Sequence, residues 1–277
     1  MIQLIADSGA TKTEWRVLAD GSVREVATVG VSPLYIKPAQ IKKILRKEVL
    51  PVAGADVDKI HFYGAGVVGD MKDILAECLA DSFPKAEVTV ESDMLAACRA
   101  LFGDSSGIAC ILGTGSNCCS WDGSQMTATA KSGGFILGDE GSGAYMGKRL
   151  LSDYIKGFVP AALAKEFDKR YHLSYADIVG KVYREEAPSR FLASFSPFIS
   201  EHRNHQYIKV LIRESLEEFM VRNVLRYDPR RNKVGFVGGI AECYRDVIEQ
   251  IFRTAGYKLG PIYAKPIDGL VKYHAER

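Results

Sequence analysis

The run Asp7-Ser8-Gly9-Ala10-Thr11-Lys12-Thr13 places one carboxylate directly before small and hydroxylated residues with a single lysine. Gly9 leaves room for successive backbone N–H groups to turn toward an anion and form a nest. Thr11 and Thr13 add hydroxyl donors, and Lys12 adds charge. Asp7 would not sit on phosphate itself, because two anions repel. It points to a cation held largely through water, which is how Mg²⁺ binds beside phosphates. The combination reads as a site for a polyphosphate and its metal ion. A second loop, Gly113-Thr114-Gly115-Ser116-Asn117, has the same character and reads as a facing clamp. At a third place, Gly238-Gly239 ends an apolar run, removing side chains where a flat heterocycle could lie on the backbone.

Two carboxylates elsewhere fit the remaining chemistry. Asp93 follows the strand-like "EVTVES" and precedes a helical stretch. There it is placed to cap the helix, or to act as the general base that takes a proton from a substrate hydroxyl attacking a γ-phosphate. Positioning and charge stabilisation supply most of the rate in phosphoryl transfer, so such a base supplies part of it. Asp139-Glu140 lies in "LGDEGSG". It reads either as a solvated turn capping the next helix or as a sugar site, with Asp139 on hydroxyls and Gly138 and Gly141 shaping the loop.

The elements that must hold these groups repeat. Residues 2–7, 14–19 and 22–29 read as strands, with Asp20-Gly21 as a tight hairpin turn. A helix over 38–50, a strand ending near Tyr63, the glycine-rich "GAGVVG", an amphipathic helix to about Ser82, strand "EVTVES" and a helix over 94–102 follow. Then strand, small-residue loop, strand, Asp122-Gly123 turn and strand recur about a hundred residues on. A repeat on this scale is a fold-level signal. It implies two related α/β halves, each opening on an antiparallel meander, with a cleft between. Residues 151–227 read as mostly helical, with breaks at Pro160, Pro188 and Pro197. A buried strand, the Gly238-Gly239 turn, a helix ending near Gly256 and a closing helix complete the chain. The expected domains are 1–103 with the C-terminal helix 267–277, and 104–266 carrying a helical insertion.

Bulk properties narrow the class. A length of 277 residues favours two domains. A formal net charge of +2 argues against a nucleic-acid partner. No apolar run reaches membrane-spanning length, and no signal-peptide pattern opens the sequence. Six cysteines without a CxxC pair read as reduced thiols. The expectation is a cytoplasmic protein without nucleic-acid or membrane partners.

These residues resemble the sugar kinase, chaperone and actin ATPase superfamily. More narrowly, they are similar to N-acetylglucosamine kinases and the BadF/BadG/BcrA/BcrD ATPase family. "ADSGATKT" is similar to the first phosphate motif, "ILGTGSN" to the second and "VGGIA" to the adenosine motif, and the pairing "GTGSN…GDEGS" is specific. The resemblance implies two ribonuclease-H-like (actin-like ATPase) domains closing over ATP, Mg²⁺ and a small-molecule amino sugar, and a homodimer. It implies Asp93 as catalytic aspartate, Thr11 and Thr114 as ATP contacts and Asp139 as a sugar contact. Ser32, Gly66, Asn117, Gly133 and Gly134 join Asp93 and Asp139 on the substrate side. The reaction implied is phosphorylation of N-acetylglucosamine at its 6-hydroxyl. Two departures fall on that side: Ser132-Gly133-Gly134-Phe135 lacks the tryptophan of the resembled kinases, and Ser32 takes the place of their asparagine. One lost partner shifts selectivity by only about 1–3 kcal/mol, which keeps the roomier N-acetylmuramic acid as an alternative.

Other readings compete. "GAGVVG", residues 64–69, matches G-x-G-x-x-G after a strand and before a helix, with Glu91 some way on. That is the pattern of an NAD-dependent oxidoreductase. It leaves both hydroxyl-rich loops unexplained, and the loop serves instead as the floor of the sugar site. Cys118-Cys119 raises an ATPase activator of a dehydratase with a shared iron–sulfur cluster, although adjacent strand residues face opposite ways. His202 and His205 lie in a polar stretch and read as surface histidines, and Arg230-Arg231 as a surface turn.

Overall fold

Hairpin chemistry organises the first sheet. A computed structural model describes residues 1–277 apart from Ala10, Thr11, Leu34, Tyr35, Val68, Glu276 and Arg277. Strands β1 (Gln3–Ser8), β2 (Lys12–Ala19) and β3 (Ser22–Val29) form the expected meander. Asp20 (φ 48°) and Gly21 (φ 74°) are both left-handed, as a two-residue turn matched to strand twist requires. β1 also pairs in parallel with β4 (Lys59–Gly64), and β4 with β5 (Glu87–Ser92), giving the order β3-β2-β1-β4-β5.

The second sheet repeats this plan. Strands β6 (Gly107–Leu112), β7 (Ser116–Trp121), β8 (Met126–Thr129), β9 (Val234–Val237) and β10 (Leu259–Tyr263) run in the order β10-β9-β6-β7-β8. β6 is antiparallel to β7 and parallel to β9, as β1 is to β2 and β4. The chain divides into a first unit, Met1–Ser105 with Lys265–Arg277, and a second, Ser106–Ala264. Each is a mixed five-stranded sheet flanked by helices, the ribonuclease-H-like plan of actin-like ATPases. Trp15, Phe62, Leu45 and Leu75 are fully buried in one core. Leu112, Phe198, Phe219 and Phe236 belong to the other.

Prolines mark helix starts in the second unit. Pro160 caps Ala161–Tyr171, Pro188 opens Pro188–Ala193 and Pro197 lies in the first turn of Ser196–Glu201. No helix among the described residues is long and apolar enough to cross a membrane.

Three local expectations need correction. The helix over 38–50 is not uniform: Pro38–Ile44 runs into a π-turn, Leu45–Val49, before Leu50–Ala53. Pro51 lacks an N–H and its ring crowds the carbonyl four residues back, and a wider turn relieves both. Asp122-Gly123 is not a two-residue turn. The Asp122 carboxylate accepts from Ser124 N, Ser124 Oγ and Gln125 N at 2.7–2.9 Å, making a longer side-chain-capped loop. The helix after Gly239 breaks at Tyr244 into Gly239–Cys243 and Arg245–Ala255.

Candidate active site

The carboxyl ends of the first unit's parallel strands are in register, Ser8 beside Gly64 and Gly64 beside Ser92. Asp7, the 64–69 loop and Asp93 therefore share one sheet edge, where open α/β sheets bind ligands. Asp7 lies directly opposite Glu14 on β2. Burial, then the Asp93 and Glu14 carboxylates, push Asp7 up to about 7, against an opposing pull from Lys265. Glu14 takes the cations instead. Lys12 donates to it at 2.8 Å, Lys265 donates to the same oxygen, and Arg16 lies 3.7 Å from the other. Burial raises Glu14, but the Lys12 and Lys265 hydrogen bonds outweigh it and hold the carboxyl below its usual range.

This pattern corrects two assignments. Lys12 is engaged with Glu14 rather than directed alone at an anion. Thr13 is fully buried. Its hydroxyl shares a 2.7 Å hydrogen bond with Ser8 Oγ and accepts from Val31 N at 2.9 Å, so it stitches the loop to the segment after β3 and offers nothing to phosphate. Gly9 closes the turn, donating to Lys12 O at 2.9 Å. Thr11 lies outside the described residues. Ser32 is buried beside these stitches, one residue past Val31.

Asp93 is not the cap of its helix. Ser92 is the N-cap and accepts from Leu95 N at 3.3 Å, leaving Asp93 as the first residue of Asp93–Phe102. Burial raises the Asp93 carboxyl, partly offset by its own and Met94's amides. A desolvated carboxylate at a strand-to-helix turn suits a proton acceptor.

In the second unit, the loop 113–117 is held by the 139–144 segment. Gly113 O accepts from Gly143 N at 2.9 Å and Thr114 O from Ala144 N at 3.0 Å. These donors belong to the first turn of helix Gly143–Ile155, whose orphan amides are thereby satisfied. With two of its carbonyls turned into the helix, the loop leaves Thr114 exposed at its tip. Asp139 accepts from Ser116 N at 3.1 Å, and Gly115 packs so closely that a Cβ there would lie 3.0–3.2 Å from the Asp139 carboxyl atoms. Asn117 Oδ1 accepts from the next amide, Cys118 N, at 2.8 Å.

The solvated-turn reading of Asp139-Glu140 is wrong: the two are only 7% and 8% exposed. The helix cap is Ser142, which accepts from Tyr145 N. Glu140 takes a 3.1 Å bond from Asn223, in the π-turn Met220–Val224. Burial raises Asp139, whose backbone is left-handed at φ 55°. Gly133 (φ 73°) precedes and Gly134 (φ 66°) opens the short helix Gly134–Leu137, whose Phe135 O accepts from Lys148.

Gly238 and Gly239 divide their labour. Gly238 (φ 129°) lies against the end of β6, where a Cβ would come within 2.1 Å of Leu112 O. Gly239 faces open space and is exposed. The Gly238-Gly239 turn and loop 113–117 are thus neighbours at one sheet edge.

Glu14, Lys265, Lys148 and Asn223 were not marked by sequence patterns. Only Glu14 had a readable signal, its position opposite Asp7 across the hairpin.

Hard oxygen chemistry at Asp7 fits Mg²⁺. Its carboxylate takes no hydrogen bond among the described residues and faces a second carboxylate. No group of three or more His, Cys, Asp or Glu side chains there could hold a metal alone. Phosphate and water would supply the remaining ligands, as Mg²⁺ prefers.

The competing motifs are otherwise used. Gly64 is explained by packing, since a Cβ would meet Val67 at 2.7 Å. Gly66 (φ 70°) turns the loop, and Gly69 (φ 54°) precedes helix Asp70–Ser82. Glu91 pairs with Lys72 at 2.7 Å. Cys118 and Cys119 are both fully buried, with Cys118 Sγ 3.5 Å from Cys110 Sγ. His202 bridges Phe198 O and Glu166.

Comparisons agree with this architecture. The profile described as the BadF/BadG/BcrA/BcrD ATPase family matches residues 6–259. A Porphyromonas gingivalis structure, named provisionally as an N-acetylglucosamine kinase, is 41% identical with a TM-score of 0.93, covering 99% of each chain. A Chromobacterium violaceum structure with the same provisional name is 19% identical at TM-score 0.73, covering 98% of each. A ROK family glucokinase from Streptomyces griseus, solved with glucose and AMPPNP, is 16% identical at TM-score 0.58, covering 100% of this chain and 99% of its own. The last two share the fold. No curated protein matches.

Proposed function

Because the chain belongs to the BadF/BadG/BcrA/BcrD ATPase family, we propose that it is a sugar kinase. It transfers the γ-phosphoryl group of ATP to the 6-hydroxyl of N-acetylglucosamine. The observation that carries this reading is Asp93: its capping duty is taken by Ser92, and its carboxyl is held up by burial at the edge that Asp7 shares.

In the reaction, Asp93 accepts the proton of the sugar hydroxyl as that oxygen bonds to the γ-phosphorus and the bond to the β-phosphate oxygen breaks, releasing ADP. Asp7 would hold Mg²⁺, which when bound neutralises charge on the β- and γ-phosphates. Gly9, Thr11 and the 113–117 loop bind the triphosphate, Gly239 lies under the adenine, and Asp139 binds sugar hydroxyls. Ser32, Gly66, Asn117, Gly133 and Gly134 complete the sugar side.

N-acetylmuramic acid is the second reading. It is favoured by Gly134, around which a Cβ would meet no atom within 4 Å, leaving room for a lactyl group.

ADP release with a panel of amino sugars, including 6-deoxy-N-acetylglucosamine, tests the proposal. Asp93→Asn should lower turnover by about 10²–10⁴-fold with AMPPNP binding nearly unchanged. Full activity in that variant, or ADP release sustained by the 6-deoxy sugar, would refute the assignment.

A further inference from the structure

The second unit ties a residue assigned to the sugar into the backbone of the loop assigned to the nucleotide. Asp139 Oδ1 accepts from Ser116 N at 3.1 Å, and Oδ2 takes no hydrogen bond among the described residues. Ser116 is itself 6% exposed, so without this acceptor its amide would be buried unpaired, which is expensive. Gly115 leaves no slack: a Cβ there would press on Oδ1, Oδ2 and Cγ of Asp139 together. The other side of the loop is fixed by Gly143 N and Ala144 N. Asp139 is thus the side-chain member of a three-point mount for the loop, and the mount and the "GDEGSG" motif are one structure.

We infer that Asp139 is a positioning residue for the nucleotide loop as well as a sugar contact, so that one carboxylate couples the two substrates. This rests on the kinase reading above. A sugar hydroxyl donating to Oδ2 fixes the carboxyl plane, and Oδ1 then holds the Ser116 amide and the Thr114–Gly115 peptide in one orientation. Any gain in nucleotide affinity on sugar binding must be matched by an equal gain in sugar affinity on nucleotide binding. The spacing of "GTGSN" and "GDEGS" in the sequence then has a physical basis, because each is the support of the other.

The test measures each substrate without the other. Asp139→Ala should weaken AMPPNP binding by about tenfold or more with no sugar present, the loss of one charge-assisted hydrogen bond. Asp139→Asn keeps an acceptor oxygen, so its AMPPNP affinity in the absence of sugar should stay near wild type while its N-acetylglucosamine affinity falls. Reciprocally, Gly115→Ala pushes the carboxyl aside and should weaken N-acetylglucosamine binding with no nucleotide present. Circular dichroism checks that each variant folds. Should Asp139→Ala not fold, the other two variants still decide.

Wild-type AMPPNP affinity in Asp139→Ala, equal losses in Asp139→Asn and Asp139→Ala, or an unchanged sugar affinity in Gly115→Ala would each overturn the inference. If the wild-type protein binds neither probe, the kinase reading has failed instead. The mount can then still be judged by whether the Ser116 amide exchanges faster in Asp139→Ala than in wild type.

Discussion

Asp7 is held against its ordinary ionisation. Burial and the Asp93 and Glu14 carboxylates raise it from 3.8 to about 7. A carboxyl raised on folding contributes stability that is complete below about pH 4 and lost as pH rises through 7, because the folded state then holds the proton more tightly. Asp7→Asn does not titrate. Its stability relative to wild type should therefore climb between pH 5 and about 7 without Mg²⁺, by roughly 2.7 kcal/mol at about 1.36 kcal/mol per unit, and level off above that. Thermal melts across that range check this, and parallel curves would contradict it. Thr13 makes the opposite case. Its type and spacing read as a phosphate contact, yet Val31 N and Ser8 Oγ occupy its hydroxyl. Thr13→Val should cost about 1 kcal/mol of stability by removing the hydroxyl from Val31 N and Ser8 Oγ, with Val31 N keeping its 3.2 Å bond to Ser8 Oγ, and AMPPNP affinity in the folded fraction should be little changed. A large affinity loss at unchanged stability would return Thr13 to the ligand. The sequence names which side chains are polar and close along the chain. It does not say which neighbour claims each one: Thr13 is claimed by Ser8 on the neighbouring strand and by Val31 beyond β3, and Lys12 by Glu14 two residues along its own strand.

At the scale of elements, Gly238 and Gly239 look interchangeable in the sequence and are not. Gly238 has a φ of 129° and carries no side chain because Leu112 O occupies the space. Gly239 meets nothing. Gly238→Ala should destabilise the second unit by about 3 kcal/mol or more, from backbone strain and separation of β6 from the turn. Gly239→Ala should leave stability within about 0.5 kcal/mol while weakening AMPPNP binding. Denaturant midpoints with a binding titration separate the two, and the pairing fails if Gly238→Ala is as stable as wild type. The hairpins were legible because Asp20-Gly21 carries its own turn chemistry. The Asp122 loop was misread because the same dipeptide serves two turns, and the choice was made by the Asp122 side chain reaching Ser124 and Gln125. The repeat was legible in outline. The 113–117 mount was not, since it depends on amides of a helix some thirty residues downstream, and backbone partners leave no mark in residue types.

At the scale of the whole molecule, the chain returns to its first unit at the end with helix Ile267–Ala275. Ile267 and Leu270 pack fully buried with Ile5, Tyr63, Ala96 and Ala100. His274 shares a 2.8 Å hydrogen bond with Tyr63, to which Arg99 also donates at 2.6 Å. Leu270→Ala should cost about 2–5 kcal/mol. By hydrogen exchange the loss should fall on Gln3–Ser8 and Asp93–Phe102, while Gly107–Leu112, in a unit with its own core, keeps its protection. Equal loss in both units would mean that they unfold as one. His61, stacked 3.8 Å from the ring of His274, makes this closure sensitive to acid. Burial, then Lys59 and Arg99, hold it down to about 4, against a smaller opposing pull from Glu87. A histidine depressed on folding contributes stability that is complete above about 6.5 and lost as pH falls toward 4, since the unfolded chain takes the proton first. His61→Phe keeps a ring for the stack and cannot titrate, although it gives up the 3.0 Å bond to Thr89. Its melting temperature relative to wild type should therefore rise as pH is lowered from 7 to 5, whatever the offset at pH 7. A constant offset across that range would show that His61 is not what makes the first unit sensitive to acid.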